Sequence, residues 1–151
     1  MTTRDLLNDI EIAQALAPQT VQAAALDSGD IDMQKADSLA VTVAVGNIVD
    51  VLTASDRLDL KIEHADDDGT GSPAAYAACT DDEVIGFTGL TSGLFMSIDD
   101  TAKENKRHAI GYKGDKRFVK VTATPVSLIT GGPIAMVAIK GHLHQKPASN
   151  S

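Results

Sequence analysis

One cysteine in 151 residues, Cys79, excludes an internal disulfide, so packing and hydrogen bonds must hold the fold, and the chain suits a reducing compartment during assembly. Cys79 has neither a second cysteine at CxxC spacing nor a paired histidine, and reads as a small buried or half-buried apolar residue. Aromatics are as scarce, at 3% of the chain with no tryptophan. Few platforms are therefore left for stacking bases or for packing sugar rings. No apolar run is long. The cleanest, Ile134 to Ile139, is far below a membrane span. The amino terminus, Met1 to Asp9, lacks the basic-then-apolar order of a secretory leader, so the expectation is a soluble protein not exported by an ordinary leader. Nucleotide motifs are missing too: there is no Gly-Lys-Ser/Thr phosphate loop and no dinucleotide fingerprint. The stretch Gly89-Leu90-Thr91-Ser92-Gly93 places its serine fourth instead of third, which rules out a nucleophile elbow.

A chain of this length makes one domain, able to remove roughly two thirds of its unfolded surface from water. Its net charge of −8 is unevenly spread. Residues 1–102 carry 4 basic and 19 acidic groups, residues 103–151 carry 9 basic and 2 acidic ones. Two arrangements follow. The halves could occupy different surfaces and orient neighbouring molecules through their field, or acidic and basic strands could lie side by side and neutralise one another. The basic run Lys103, Lys106, Arg107, Lys113, Lys116, Arg117 and Lys120 is the place to look for phosphate binding. The overall pI near 4.7 and the shortage of aromatics speak against a nucleic-acid partner.

Apolar residues at three- and four-residue spacing, Leu6, Ile10, Ala13 and Ala17, with Leu7 and Ile12 widening the stripe, predict a helix over residues 3–17, capped by Thr2 or Thr3 and stopped by Pro18. Such a helix is marginal alone and needs a surface to lie on, which suggests an assembly arm. Beyond Pro18 the period becomes two. Leu39, Val41, Val43 and Val45 share one face of a strand over 38–45, and Leu58, Leu60 and Ile62 share one face of another over 57–64, with Arg57, Asp59, Lys61 and Glu63 facing out. Further strands are expected over 118–123 and 134–140, with weaker ones over 21–26, 74–79, 84–87, 95–98 and 108–112. Turn clusters separate them at 27–30, 66–71, 92–93 and 130–133. The fold expected is mainly β, a single antiparallel β-sandwich or jelly-roll-like domain over residues 19–147, with an arm over 1–18 and a short tail over 148–151.

Three clusters could carry chemistry. His142 and His144 form an HxH pair that on a strand would point both rings one way, but no third ligand lies near in sequence, and solvated histidines are the simpler reading. Asp66-Asp67-Asp68-Gly69 lacks the alternating ligands and distant glutamate of a calcium loop, and Asp81-Asp82-Glu83 is judged the same way. Solvated turns are expected at both. No catalytic residue, cofactor or metal is indicated.

The block from Arg107 to Pro147 carries the most specific pattern. Gly111-Tyr112-Lys113-Gly114-Asp115-Lys116-Arg117-Phe118-Val119-Lys120-Val121, followed by a second apolar strand and Gly141-His142 with Pro147 five residues on, resembles a family of small tailed-bacteriophage structural proteins. An Ala-Pro near Pro18 and a turn near Asp67-Asp68 extend the similarity more weakly. These proteins are usually placed beside the major capsid protein as head decoration or cement subunits. The resemblance implies a non-enzymatic virion protein, made in the host cytoplasm, that binds the capsid lattice as a homo-oligomer, with a trimer suggested by threefold lattice positions. Tail or head–tail joining subunits are the alternative within this class, and a soluble metal- or ligand-binding domain the alternative outside it. Contact residues expected for the lattice are Leu6, Leu7, Ile10 and Ile12 of the arm, and Lys113, Asp115, Lys116 and Arg117 of the turn.

Overall fold

The computed structural model of the protein describes residues 5–146. Eleven strands run through them: β1 (Glu11–Val21), β2 (Leu26–Asp27), β3 (Ile31–Asp32), β4 (Ala36–Val45), β5 (Arg57–Ala65), β6 (Ala77–Ala78), β7 (Val84–Ile85), β8 (Leu94–Ile98), β9 (Lys106–Tyr112), β10 (Phe118–Val126) and β11 (Gly132–Leu143). Alternation decides which side chains turn inward. Leu39, Val41, Val43 and Val45 of β4 are buried, as are Leu58, Leu60 and Ile62 of β5, in the phase the sequence predicts. One sheet has the order β1-β11-β4-β9-β7 and the other β2-β10-β5-β6, with β3 also on β10 and β8 also on β5. All pairings are antiparallel. The two inner faces meet over Val41, Val43, Leu58, Leu60, Ile62, Val119, Val121 and Met136, each fully enclosed, and make an antiparallel sandwich.

The expected helix over 3–17 does not form within the described residues. Residues 5–10 make turns, with the Asp9 and Ile10 N–H groups donating to the Leu6 carbonyl at 3.0 and 3.2 Å, and from Glu11 the chain is a strand. Ala-Gln-Ala-Leu-Ala satisfies either period, and the ladder to β11, from Glu11 opposite Lys140 to Val21 opposite Gly132, settles the choice. Pro18 does not end the element: it falls in an irregularity of register between Leu16 and Gln19 on an edge strand, where its missing N–H needs no partner. The boundary expected after Pro18 therefore lies inside β1. The expected caps, Thr2 and Thr3, and the tail over 148–151 lie outside the described residues. Further expectations change. The strands expected over 21–26, 74–79 and 84–87 shrink to the two-residue β2, β6 and β7, with Val21 belonging to β1, and Asp59 is buried instead of facing solvent, accepting from Arg57 Nε at 2.9 Å and from the Ser97 hydroxyl at 2.6 Å.

Of the two charge arrangements, the second is found. Lys103, Lys116, Arg117, Lys140 and Lys146 reach Asp99, Asp66, Asp32, Glu11 and Asp9 at 2.6–2.8 Å, each pairing a cation of the basic part with a carboxylate of the acidic part. Surface pairs of this kind add little stability singly; Lys140–Glu11 bridges β11 and β1, and the others tie turns and loops to their neighbours.

The outward side chains differ between the sheets. On β5 and β10 they include Lys61, Glu63 and Lys120, with Lys120 directly opposite Glu63. On the other sheet the pairings Ile139–Ala40–Gly111, Val137–Thr42–Ala109 and Ala135–Ala44–Arg107 form rows across β11, β4 and β9. Arg107, at one corner, is the charge in those rows.

Candidate functional site

Both segments expected to touch a partner leave the sandwich at one end. Glu11, Lys140, Leu39 and Tyr112 form a single row across β1, β11, β4 and β9, so residues 5–10 precede that row at one edge, while the turn 113–117 follows it about three strand spacings away, roughly 15 Å. The register thus brings together what the sequence separates by a hundred positions.

The turn is anchored through the core. Tyr112 is buried and points inward from β9 toward His64, which points inward from β5 of the other sheet. Its hydroxyl lies 2.9 Å from His64 Nδ1 and accepts the Lys116 N–H at 3.1 Å, and the two rings meet edge to face at 5.8 Å. One oxygen therefore ties both sheets and the turn. Burial pushes the Tyr112 phenol up to about 12, which keeps the hydroxyl protonated and able to donate. At the turn's start, the Lys113 N–H donates to the Glu83 carbonyl at 2.8 Å.

Arg117 lays its fork on Asp32, Nε to Oδ1 at 3.0 Å and Nη2 to Oδ2 at 2.8 Å. It also donates to Asp67 and Gln34, and its guanidinium lies over the Phe118 ring. The bidentate pairing holds the Asp32 carboxyl below the usual carboxylate range. Lys116 is bound to Asp66 at 2.7 Å, which raises its ammonium pKa. Of the four turn residues expected to touch a partner, Lys116 and Arg117 are thus engaged inside the molecule, while Lys113 and Asp115 present exposed side chains. Between this turn, Gln34, Asp37 and His144 lies an open depression of about 400 Å³.

In the amino-terminal segment Leu6 is 65% exposed and Leu7 59%. Ile12 is exposed on β1, and Ile10 is half-buried at the rim of a second depression beside Leu39 and Ile139. Lys146 holds this segment through Asp9 at 2.6 Å.

The other clusters resolve into fasteners. The Asp67 carboxylate accepts the Gly69 and Gly71 N–H groups at 2.7 and 3.0 Å, Asp68 accepts the Thr70 N–H and hydroxyl at 2.8 and 2.6 Å, and Asp81 accepts from Gly89 and Leu90 at 2.7 and 2.8 Å. These donors lower all three carboxyl pKa values. The acidic turns are therefore closed on themselves, not merely solvated. His142 adopts φ 49°, which breaks the strand alternation, and the two imidazoles take separate partners: His142 Nδ1 lies 2.9 Å from the Ser38 hydroxyl and His144 Nε2 2.9 Å from Asp37. Among the described residues no three His, Cys, Asp or Glu side chains gather as a metal site.

At the opposite end the structure shows a surface that sequence reading did not single out. Asp50 accepts N–H groups from Ile129, Thr130 and Gly131 at 2.9, 3.0 and 2.6 Å, binding loop 46–56 to loop 127–131. Gly131 is required there: at φ 71° a Cβ would come within 1.8 Å of the Val21 carbonyl oxygen. The result is a tip on which Val49, Val51 and Ile129 stand 66%, 83% and 77% exposed. The available signal was an Ile-Val-Asp-Val-Leu run with neither helical nor strand context.

No known protein-family pattern and no curated protein matches the chain. Among solved structures, the disulfide-linked pili of Bacillus endospore appendages align with 88% of this chain and 88% of their own at 11% identity and a TM-score of 0.39. The VP2 subviral particle of infectious bursal disease virus aligns with 86% of this chain and 40% of its own at 12% identity and a TM-score of 0.29. Likeness this slight carries no functional information.

Proposed function

We propose that the protein is a non-enzymatic structural subunit of a tailed-phage virion that docks on the head lattice and reinforces it. The observation that carries the reading is the pairing at one end of the sandwich of an exposed apolar segment, Leu6 and Leu7, with a turn anchored through Tyr112. A rigid scaffold that presents apolar side chains at fixed positions binds with little loss of entropy, and a repetitive lattice multiplies a modest contact over many copies. Binding an assembled shell in preference to its loosened state stabilises that shell by mass action. Support for the phage assignment comes from the Gly111–Val121 block and the Gly141-His142 tail.

The test uses heads that lack the protein. Added full-length chain should co-sediment with expanded heads and raise their disruption temperature. A chain that stays in the supernatant sinks the proposal. Binding to isolated tails but not to heads would favour the joining or tail role.

A further inference from the structure

The depression beside the amino-terminal segment is the feature that reading leaves unused. It holds about 470 Å³, the size of a ligand pocket, and opens on the outer face of the β1-β11-β4-β9 sheet. Small residues make it hollow. Gly141 is paired with Ser38 across β11 and β4, and Ile139 with Ala40, so Gly141 and Ala40 leave space beside Ile139 and Ile10. A Cβ at position 141 would come within 2.9 Å of the Ser38 hydroxyl oxygen, whose partner is His142 Nδ1 at 2.9 Å. His142 stands on the rim with φ 49°, a backbone region that residues other than glycine seldom occupy. We propose that this depression is an anchor pocket for one large uncharged apolar side chain, of leucine or phenylalanine size, carried by the head protein.

The inference rests on the docking reading and names what the partner brings. Charge restricts the occupant. Asp9 and Lys146 on the rim neutralise each other at 2.6 Å, so an ionic group entering the hollow would be set against Leu39, Ala40 and Ile139 without a counter-charge. Continuity with the proposed contact is direct: Leu6 and Leu7 stand on the turn whose Asp9 and Ile10 border the hollow, and the Leu6 carbonyl accepts the N–H groups of both. Exposed apolar side chains and an apolar hole thus share one surface, and a few anchors seated in such pockets carry most of the energy of an interface. The ends of the chain bring little to fill it. Of residues 1–4 and 147–151, only Met1 has a large apolar side chain.

The first probe is N-acetyl-leucine N-methylamide, an apolar side chain between two peptide bonds. Titrated into the full chain at millimolar concentration, it should shift the amide signals of Ala40, Ile139 and Gly141 saturably, and the glutamate counterpart should not. Ala40→Phe, which fills the hollow, and Ile139→Asp, which charges its wall, should each abolish that response and lower head co-sedimentation at least about tenfold, with unchanged circular dichroism. Lys61→Glu on the opposite outer face should do neither. No saturable shift overturns the proposal, as does an equal response to both probes. A response that appears only once residues 1–4 or 147–151 are removed also overturns it, because the chain's own end would then be the occupant. Head binding untouched by both substitutions overturns it while the docking reading stands; an unaltered chain that does not bind heads sinks the docking reading and this inference together.

Discussion

Replacing Tyr112 by phenylalanine removes one oxygen and leaves the ring packing. In the folded protein that oxygen joins His64 of one sheet to Lys116 of the inter-sheet turn. His64 is buried, so its nitrogen loses a partner that water cannot readily replace. The Lys116 N–H is only partly buried, and water can recover some of that bond. A buried polar group left unmatched costs about 1–3 kcal/mol, so Tyr112→Phe should destabilise the fold by about 2–3 kcal/mol. For a chain of this size that lowers the melting temperature by about 5–10 °C. Urea titration should show the midpoint moving at constant m. A double-mutant cycle with His64→Leu should return a coupling of about 1–2 kcal/mol, and amide exchange in residues 113–117 should accelerate more than exchange in β1. A loss below about 0.5 kcal/mol, or zero coupling, would refute the view that this hydroxyl fastens the turn.

Removing residues 1–10 should leave a cooperative transition, whereas removing 1–17 strips most of β1, exposes the β11 edge and should abolish it in thermal scans. Leu6→Asp combined with Leu7→Asp should reduce head co-sedimentation at least about tenfold, in line with losing two apolar contacts, at unchanged melting temperature. Val49→Asp with Val51→Asp at the other end should not. Toward acid, the lowered carboxyls of Asp32, Asp67, Asp68 and Asp81 contribute stability that is present above their ordinary value of 3.8 and lost as pH falls below it. Denaturation followed from pH 7 downward should therefore stay level until about pH 4 and then drop. Toward alkali, burial raises Cys79 from 9.0 and Tyr112 from 10.0, each to about 12. The folded state then holds protons that the unfolded state releases, and stability should decline from about pH 9 upward. Cys79 should resist thiol reagents until the protein unfolds.

How much of this was legible beforehand differs by element. In β4 and β5 large apolar residues alternate without ambiguity, so both the strands and their buried faces could be read directly. In β1 they could not: alanine suits a helix and a strand alike, and the decision came from β11, more than a hundred residues later. Parity alone turns Asp59 outward, because it is blind to a neighbouring strand bringing Ser97 over it. The turn at 113–117 is recognisable from its glycines, but the engagement of Lys116 and Arg117 is not, because their partners, Asp32 on β3 and Asp66 and Asp67 in the loop after β5, are brought near only by the pairing of β10 with β3 and β5.

Alternation, turn residues and the scarcity of cysteine and aromatics determine, from sequence alone, a packed antiparallel β protein. Tertiary structure alone decides that acidic and basic parts neutralise each other, that Asp50 joins two loops into an apolar tip, and that the outward rows across β11, β4 and β9 carry a single charge, Arg107. Strand character is set by neighbours one and two positions away, whereas these features depend on register between distant strands, which no local pattern encodes.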